Sequence, residues 1–243
     1  PEAYASKPEK WGVPGTWALT GEAWKYVWGV SDQLLQGLKL TCFESFVGPI
    51  LDLCVGLLFA YPMTRKEFIL RDLLTTYLLL TMFIPGGPIA GYLLNVNVWH
   101  LKNNPLILII PGVGLFTIVM YRTYMNKNCP EELIEAARID GSGEFRTFNS
   151  IVLPLLKPAI AVQAIFSFVG SWNNYFTPAL ILHTNEKKTL PILLAQLRGA
   201  DFLKFDMGQV YMMIAFSIFP VILVYLLLSK HIVQGVALGG VKG

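Results

Sequence analysis

The sequence predicts an all-α membrane protein, a polytopic helical bundle. Two observations carry this. The 243 residues are 54% hydrophobic and only 14% charged, with a mean hydropathy of +0.52, whereas soluble domains carry about 25% charged residues. In addition, five stretches approach the roughly 20 apolar residues that a helix needs to cross a bilayer.

Those stretches are Gly37–Met63, Leu73–Leu94, Pro105–Met125, Ala159–Leu182 and Gln209–Ser229. Before them lies a polar segment, residues 1–36, rich in Pro and Gly and carrying Trp11, Trp17, Trp24 and Trp28, as expected at a membrane–water interface. It is neither a signal peptide nor a span, and the chain opens on Pro1 rather than methionine, so a further span is expected upstream. Pro85, Gly86, Gly87 and Pro88 should break the second stretch, and Pro178 should kink the fourth.

Five spans place the two ends on opposite sides. Connector residues Arg65, Lys66 and Arg71 share a side with Arg122, Lys127, Arg138, Arg146 and Lys157 of the insert 128–158, and with Lys230 and Lys242 of the tail 231–243. The opposite side carries Lys102, Lys187, Lys188, Arg198 and Lys204, with Lys7, Lys10 and Lys25. The positive-inside bias therefore makes the insert and tail cytoplasmic.

The insert is the most polar and most helix-like part of the chain. Asn128 or Cys129 can cap a helix, Pro130 suits its first position, and Glu131 and Glu132 complement the positive end of the dipole. Leu133, Ala136, Ala137 and Ile139 supply apolar contacts, and Gly141 ends the helix. A second helix can begin at Ser142, with Phe145, Phe148 and Val152 on one face, limited by Pro154 and Pro158. Both are too short to span a bilayer and must pack on something, either their own bundle or a partner.

EAARIDGSGEFRTFNSIVLP resembles the EAA loop of permease subunits in binding-protein-dependent ABC importers: E-A-A, three residues, Gly, nine residues, then I-x-L-P. Glu135, Ala136, Ala137, Gly141, Ile151, Leu153 and Pro154 fall on that pattern, with Ser142 where Ala is frequent. GSWNNYFTPALIL (Gly170–Leu182) and the terminal LGGVKG (Leu238–Gly243) are similar to maltose-type, carbohydrate-uptake permeases, and FIPGGPIAGYLL (Phe83–Leu94) to a subgroup associated with oligosaccharides and uronates. The resemblance covers essentially everything from Gly37 onward.

The resemblance implies a type I ABC importer permease in a bacterial inner membrane, with one span more than the five found here. It implies a dimer of ATP-binding subunits, a second homologous permease, an extracytoplasmic solute-binding protein and a carbohydrate substrate. Glu135, Ala136, Ala137, Asp140, Gly141, Phe145, Ile151, Leu153 and Pro154 would then couple to the ATPase. The connector His183–Gly208, with Lys187, Lys188, Gln196 and Arg198, would reach the binding protein, or else be a plain solvated loop. The tail would run between ATPase subunits or fray.

Inside the spans polar residues are costly and often functional. Glu44 and Asp52 either line the substrate path or pair with neighbouring helices. Trp172, Asn173, Asn174 and Tyr175 suit a hydroxyl-rich ligand, or pack against helices and the sister subunit. No G-x-x-x-x-G-K-[ST] occurs, since GVGLF and LGGVKG lack its spacing, so the chain is expected to bind no cofactor and to leave ATP and Mg to its partners. Cys42, Cys54 and Cys129 and His100, His183 and His231 are scattered, which predicts no metal site, no enzyme activity and no disulfide. The small net charge of +3 gives no reason to expect nucleic acid. An ion-coupled transporter or channel using Glu44 and Asp52 is the alternative, but it leaves the spacing of the insert unexplained.

Overall fold

The computed structural model describes residues 31–110, 114–199 and 207–240, with side chains placed for 32–110, 114–196 and 213–229. The expected interfacial tryptophans, the Arg198 side chain and Lys242 lie outside these. The described residues form helices and turns and contain no strand.

The first apolar stretch becomes a 33-residue helix, α1 (Ser31–Met63), which holds Pro49 and Pro62 without breaking. Among the described residues it is the one unbroken helix long and apolar enough to cross a membrane. The second expected span is two helices, α2 (Arg71–Phe83) and α3 (Gly87–Leu93), with a π turn at Leu94–Val98. They meet at 114°. The Pro-Gly-Gly-Pro run makes that corner: Gly87 takes φ +76°, which an L side chain resists, and Pro88 sits in the first turn of α3 where its missing N–H costs nothing.

The third stretch contains a 3-10 turn at Pro105–Leu108, with Ile107 and Leu108 buried, and the helix α4 (Leu115–Asn128). The fourth runs as α8 (Lys157–Trp172), breaks, and resumes as α9 (Phe176–Ile181). The break lies one turn before Pro178, where the expected kink requires it: in a continuous helix the proline ring would clash with the Asn174 carbonyl and leave it without a donor. Pro178 itself lies in the first turn of α9, and the chain leaves the helix at Asn173 and Asn174. The last stretch lies in α11 (Met207–Gly240), which stays helical well past Ser229. The insert supplies α5 (Glu131–Ile139), α6 (Glu144–Thr147) and α7 (Leu153–Leu155), the last two joined by a π turn at Phe148–Val152. The apolar run of the 183–208 connector forms α10 (Leu190–Gly199).

α1 is the axis of the bundle, with α4, α8 and α10 packed along it and α11 packed on α8 and α10. Gly56 lets α4 approach closely, since a Cβ there would meet Thr117 Cγ2 at 2.8 Å. Leu190 and Ile192 of α10 are buried, so this connector folds back on the bundle instead of standing in solvent.

The helices α1, α4 and α8 are pinned by one buried carboxylate. Asp52 Oδ1 accepts from Gly114 N at 2.7 Å, and its Oδ2 accepts from Thr117 Oγ1 at 2.9 Å and Ser167 Oγ at 3.0 Å. Gln163 Nε2 in turn donates to Thr117 Oγ1 at 2.7 Å. The carboxylate also faces the amino end of α4, where the dipole favours a negative charge.

Two ends of the bundle are separable. At one, Asn103 (φ +52°) accepts from His183 N at 3.2 Å, donates to Thr184 Oγ1 at 2.7 Å, and receives Lys187 Nζ on its carbonyl at 2.7 Å. At the other, the connector after α1 pairs with the insert through Lys66–Glu131 and Glu67–Arg138. The two connectors on each side of the charge count thus share an end in the structure.

Replacing Asp52 with Leu orphans the Gly114 N–H and the Thr117 and Ser167 hydroxyls, at about 1–3 kcal/mol for each group left unsatisfied. The melting temperature of the detergent-purified protein should fall; an unchanged transition would contradict the pinning role.

Candidate functional site

The insert forms a short helix with a fixed end and two distinct faces. Pro130 (φ −55°, ψ 139°) is its N-cap, so the helix starts one position later than expected from a cap at Cys129, and Glu131 and Glu132 occupy the first turn. At the other end the chain reverses in a Schellman arrangement: Ser142 N donates to Ala137 O at 2.9 Å and Gly141 N to Arg138 O at 3.0 Å. This geometry puts Gly141 at φ +76°. The next helix begins at Glu144 instead of Ser142, with Gly143 as its N-cap.

Ile134 and Ala137 turn inward. Ile134 joins an apolar cluster with Tyr61, Met63, Tyr121, Met125 and Leu156. Glu132, Glu135, Ala136, Asp140 and Gly141 are exposed, and Ile139 is 86% and Phe145 78% exposed. Of the expected coupling residues, Ala137 therefore faces the chain itself. Ile151 and Leu153 are half-buried behind the helix, and Pro154 is exposed. Ile139 was absent from the expected set, although its i+4 spacing from Glu135 already places it on the same face.

The helix is held to the end of α1 by charges that no sequence spacing reveals. Arg138 donates through Nε (3.0 Å) and Nη2 (2.8 Å) to Glu144 Oε1, and through Nη1 to Glu67 Oε1 at 3.1 Å. The hydrogen bond from Arg138 holds the Glu67 carboxyl below the ordinary carboxylate range. Tyr61 Oη donates to Glu144 Oε2 at 2.8 Å. An open apolar cavity of about 540 Å³ lies alongside, lined by Leu58, Tyr61, Pro62, Phe68, Phe145 and Phe148 among others.

The residues expected on a substrate path come together only in part. Trp172 is 1% exposed, stacks on Phe168 at 5.7 Å and donates through Nε1 to Ser217 O at 3.0 Å, so its packing alternative is the one realised. Asn174 Nδ2 donates to Glu44 Oε1 at 2.7 Å, while Glu44 Oε2 is buried with no partner among the described residues. Asn173 bonds back to Val169 O at 2.9 Å, and with Tyr175 it is exposed at the α8–α9 break. Asp52 belongs to the helix junction described above. Among the connector residues, Lys187 is engaged by Asn103, Lys188 Nζ donates to Asn185 Oδ1 at 2.6 Å, and Gln196 is exposed.

Comparison with known proteins agrees with this geometry. Residues 53–238 match the family described as binding-protein-dependent transport system inner membrane component. The polygalacturonan/rhamnogalacturonan transport system permease protein of Bacillus subtilis is 29% identical, over 95% of this chain and 84% of that protein. The galactooligosaccharides transport system permease protein of the same organism is 32% identical, over 86% and 73%. A crystal structure of a bacterial ABC transporter involved in the import of the acidic polysaccharide alginate superposes with a TM-score of 0.76 at 25% identity, covering 86% of this chain and 78% of that one. A helix ended by Gly141 at the spacing of the EAA loop, on a bundle of this shape, has the same explanation as those matches: the chain belongs to the family of binding-protein-dependent transport system inner membrane components.

Proposed function

We propose that this chain is the transmembrane permease subunit of an ATP-driven importer in a bacterial inner membrane, that it takes up an oligosaccharide delivered by a binding protein, and that α5 is the cytoplasmic handle by which a separate ATPase moves it. The observation that carries the reading is the outward face of α5. Glu132, Glu135, Ala136 and Ile139 stand exposed on a helix too short to be stable alone, presented by a fixed turn at Gly141.

That face is acidic at its rim and apolar at its centre, which suits a cleft with basic and apolar walls. A dimer of ATP-binding subunits and a second permease complete the assembly, and ATP and Mg are bound by those partners. The relatives are named for polygalacturonan, rhamnogalacturonan and galactooligosaccharides, which supports a carbohydrate substrate. Glu44, Asn174, Asn173 and Tyr175 at the α8–α9 break are the substrate-path candidates within this chain, and Gln196 is the exposed candidate for contact with the binding protein. An ion-coupled mechanism finds less support, because Asp52 is already occupied by three donors.

Gly141→Val forces a β-branched residue into the left-handed region, at roughly 1–2 kcal/mol, and distorts the turn that presents α5. The variant should assemble yet lose uptake and binding-protein-stimulated ATP hydrolysis; normal uptake would sink the handle reading. In the permease without its ATPase, Ala136→Cys should react readily with a polar maleimide from the cytoplasmic side and Ala137→Cys should be protected. Equal labelling would contradict the assigned faces.

A further inference from the structure

The Arg138–Glu144–Tyr61 chain is not needed to bury α5, which Ile134 and Ala137 already do. Its geometry is nonetheless specific. The Arg138 guanidinium spans Glu67 on the connector and Glu144 on α6, using three nitrogens on two carboxylates. The second oxygen of Glu144 is taken by the Tyr61 hydroxyl. The Tyr61 ring is itself fixed, with Arg65 over one side at 4.5 Å from its centroid and Phe148 at 4.9 Å. Lys66–Glu131 adds a second tie at the other end of α5. A lone exposed ion pair contributes little, but a guanidinium forked across two carboxylates and closed by a buried-side hydroxyl fixes orientation.

We infer that Arg138, Glu144, Tyr61 and Glu67 are positioning residues that make α5 and the end of α1 move as one body, so that a push on α5 is delivered to α1. The inference rests on the coupling reading above. Tyr61 lies nine residues beyond Asp52 on the same unbroken helix, roughly 13 Å along its axis. A displacement of α5 thus reaches the junction of α1, α4 and α8, and beyond it Glu44, without passing through a flexible joint. Without the clamp, α5 can still dock but tilts on its apolar contact, and ATP hydrolysis is no longer tied to movement of the bundle.

The test uses the complete complex in liposomes, with its binding protein loaded from a mixture of galacto- and galacturono-oligosaccharides. Tyr61→Phe keeps the ring between Arg65 and Phe148 and removes only the hydroxyl; Arg138→Gln removes the fork. Loss of a hydrogen bond to a charged group corresponds to a change on the order of tenfold. Each variant should therefore lower the binding-protein-stimulated rate of hydrolysis about tenfold, with basal hydrolysis and the KM for ATP unchanged. The double variant should be no worse than Arg138→Gln, because both act through Glu144. Arg138→Lys should not rescue, since an ammonium cannot fork across two carboxylates.

Wild-type stimulation in both single variants overturns the inference. So does an equal loss of basal and stimulated rates, which marks a folding role. If Arg138→Gln fails to assemble, Tyr61→Phe alone decides. A wild-type complex without any stimulation would instead overturn the coupling reading itself.

Discussion

A carboxylate buried in the middle of an apolar helix has to find donors inside the bundle, and Asp52 does so by drawing α4 and α8 onto α1. Carrying a charge out of water is costly unless it is compensated by hydrogen bonds. Three donors and the amino end of α4 supply that compensation. The requirement fixes where α4 can begin, since Gly114 N must reach Oδ1, and it fixes the rotation of α8, since Ser167 must face inward. Gly56 completes the constraint by leaving room for Thr117. Most other packing in the bundle, from the cluster around Tyr121 to the Trp172 contact with α11, follows from helices already held in that register.

The insert obeys a different rule. It lies at the end of α1 and is too short to hold its own shape, so its stability comes from what it leans on. Ile134 packs into the bundle, the Schellman turn satisfies the carbonyls of the last turn, and the charges around Arg138 orient it. These features leave one face with none of the described residues packed against it. A face of that kind, on an element with a sharply defined end, is where a partner can act without disturbing the core. The connectors at the opposite end of the bundle show the opposite design: Asn103 ties them together, and α10 lies back along α1.

The helical class, the corner at Pro85–Pro88 and the grammar of α5 were legible in the sequence because each depends on local chemistry. Proline and glycine act through their own backbone, and Gly141 marks its turn by itself. What was not legible depended on partners distant in sequence. Arg138, Glu67 and Glu144 have no spacing that announces them, and Tyr61 looks like any aromatic residue at a helix end. Trp172 and Asp52 could be read two ways until their surroundings were known: a tryptophan beside two asparagines suits a sugar, but with α11 alongside it fills a core. The break in the fourth span was legible from Pro178, which disrupts a helix at the carbonyl four residues earlier, that of Asn174. What the proline did not reveal is the use made of the break, which turns Asn174 toward Glu44.

Taken together, these features describe a lever. In the proposed mechanism α5 is the handle, α1 the rod, and the Asp52 junction the point at which motion is shared among helices. The most direct test is accumulation of a labelled oligosaccharide in liposomes holding the complete complex, with ATP enclosed, binding protein outside, and ion gradients collapsed by ionophores. Uptake should persist under these conditions and stop when either ATP or the binding protein is withheld. Accumulation that proceeds without ATP and disappears with the ion gradients would contradict an ATP-driven lever.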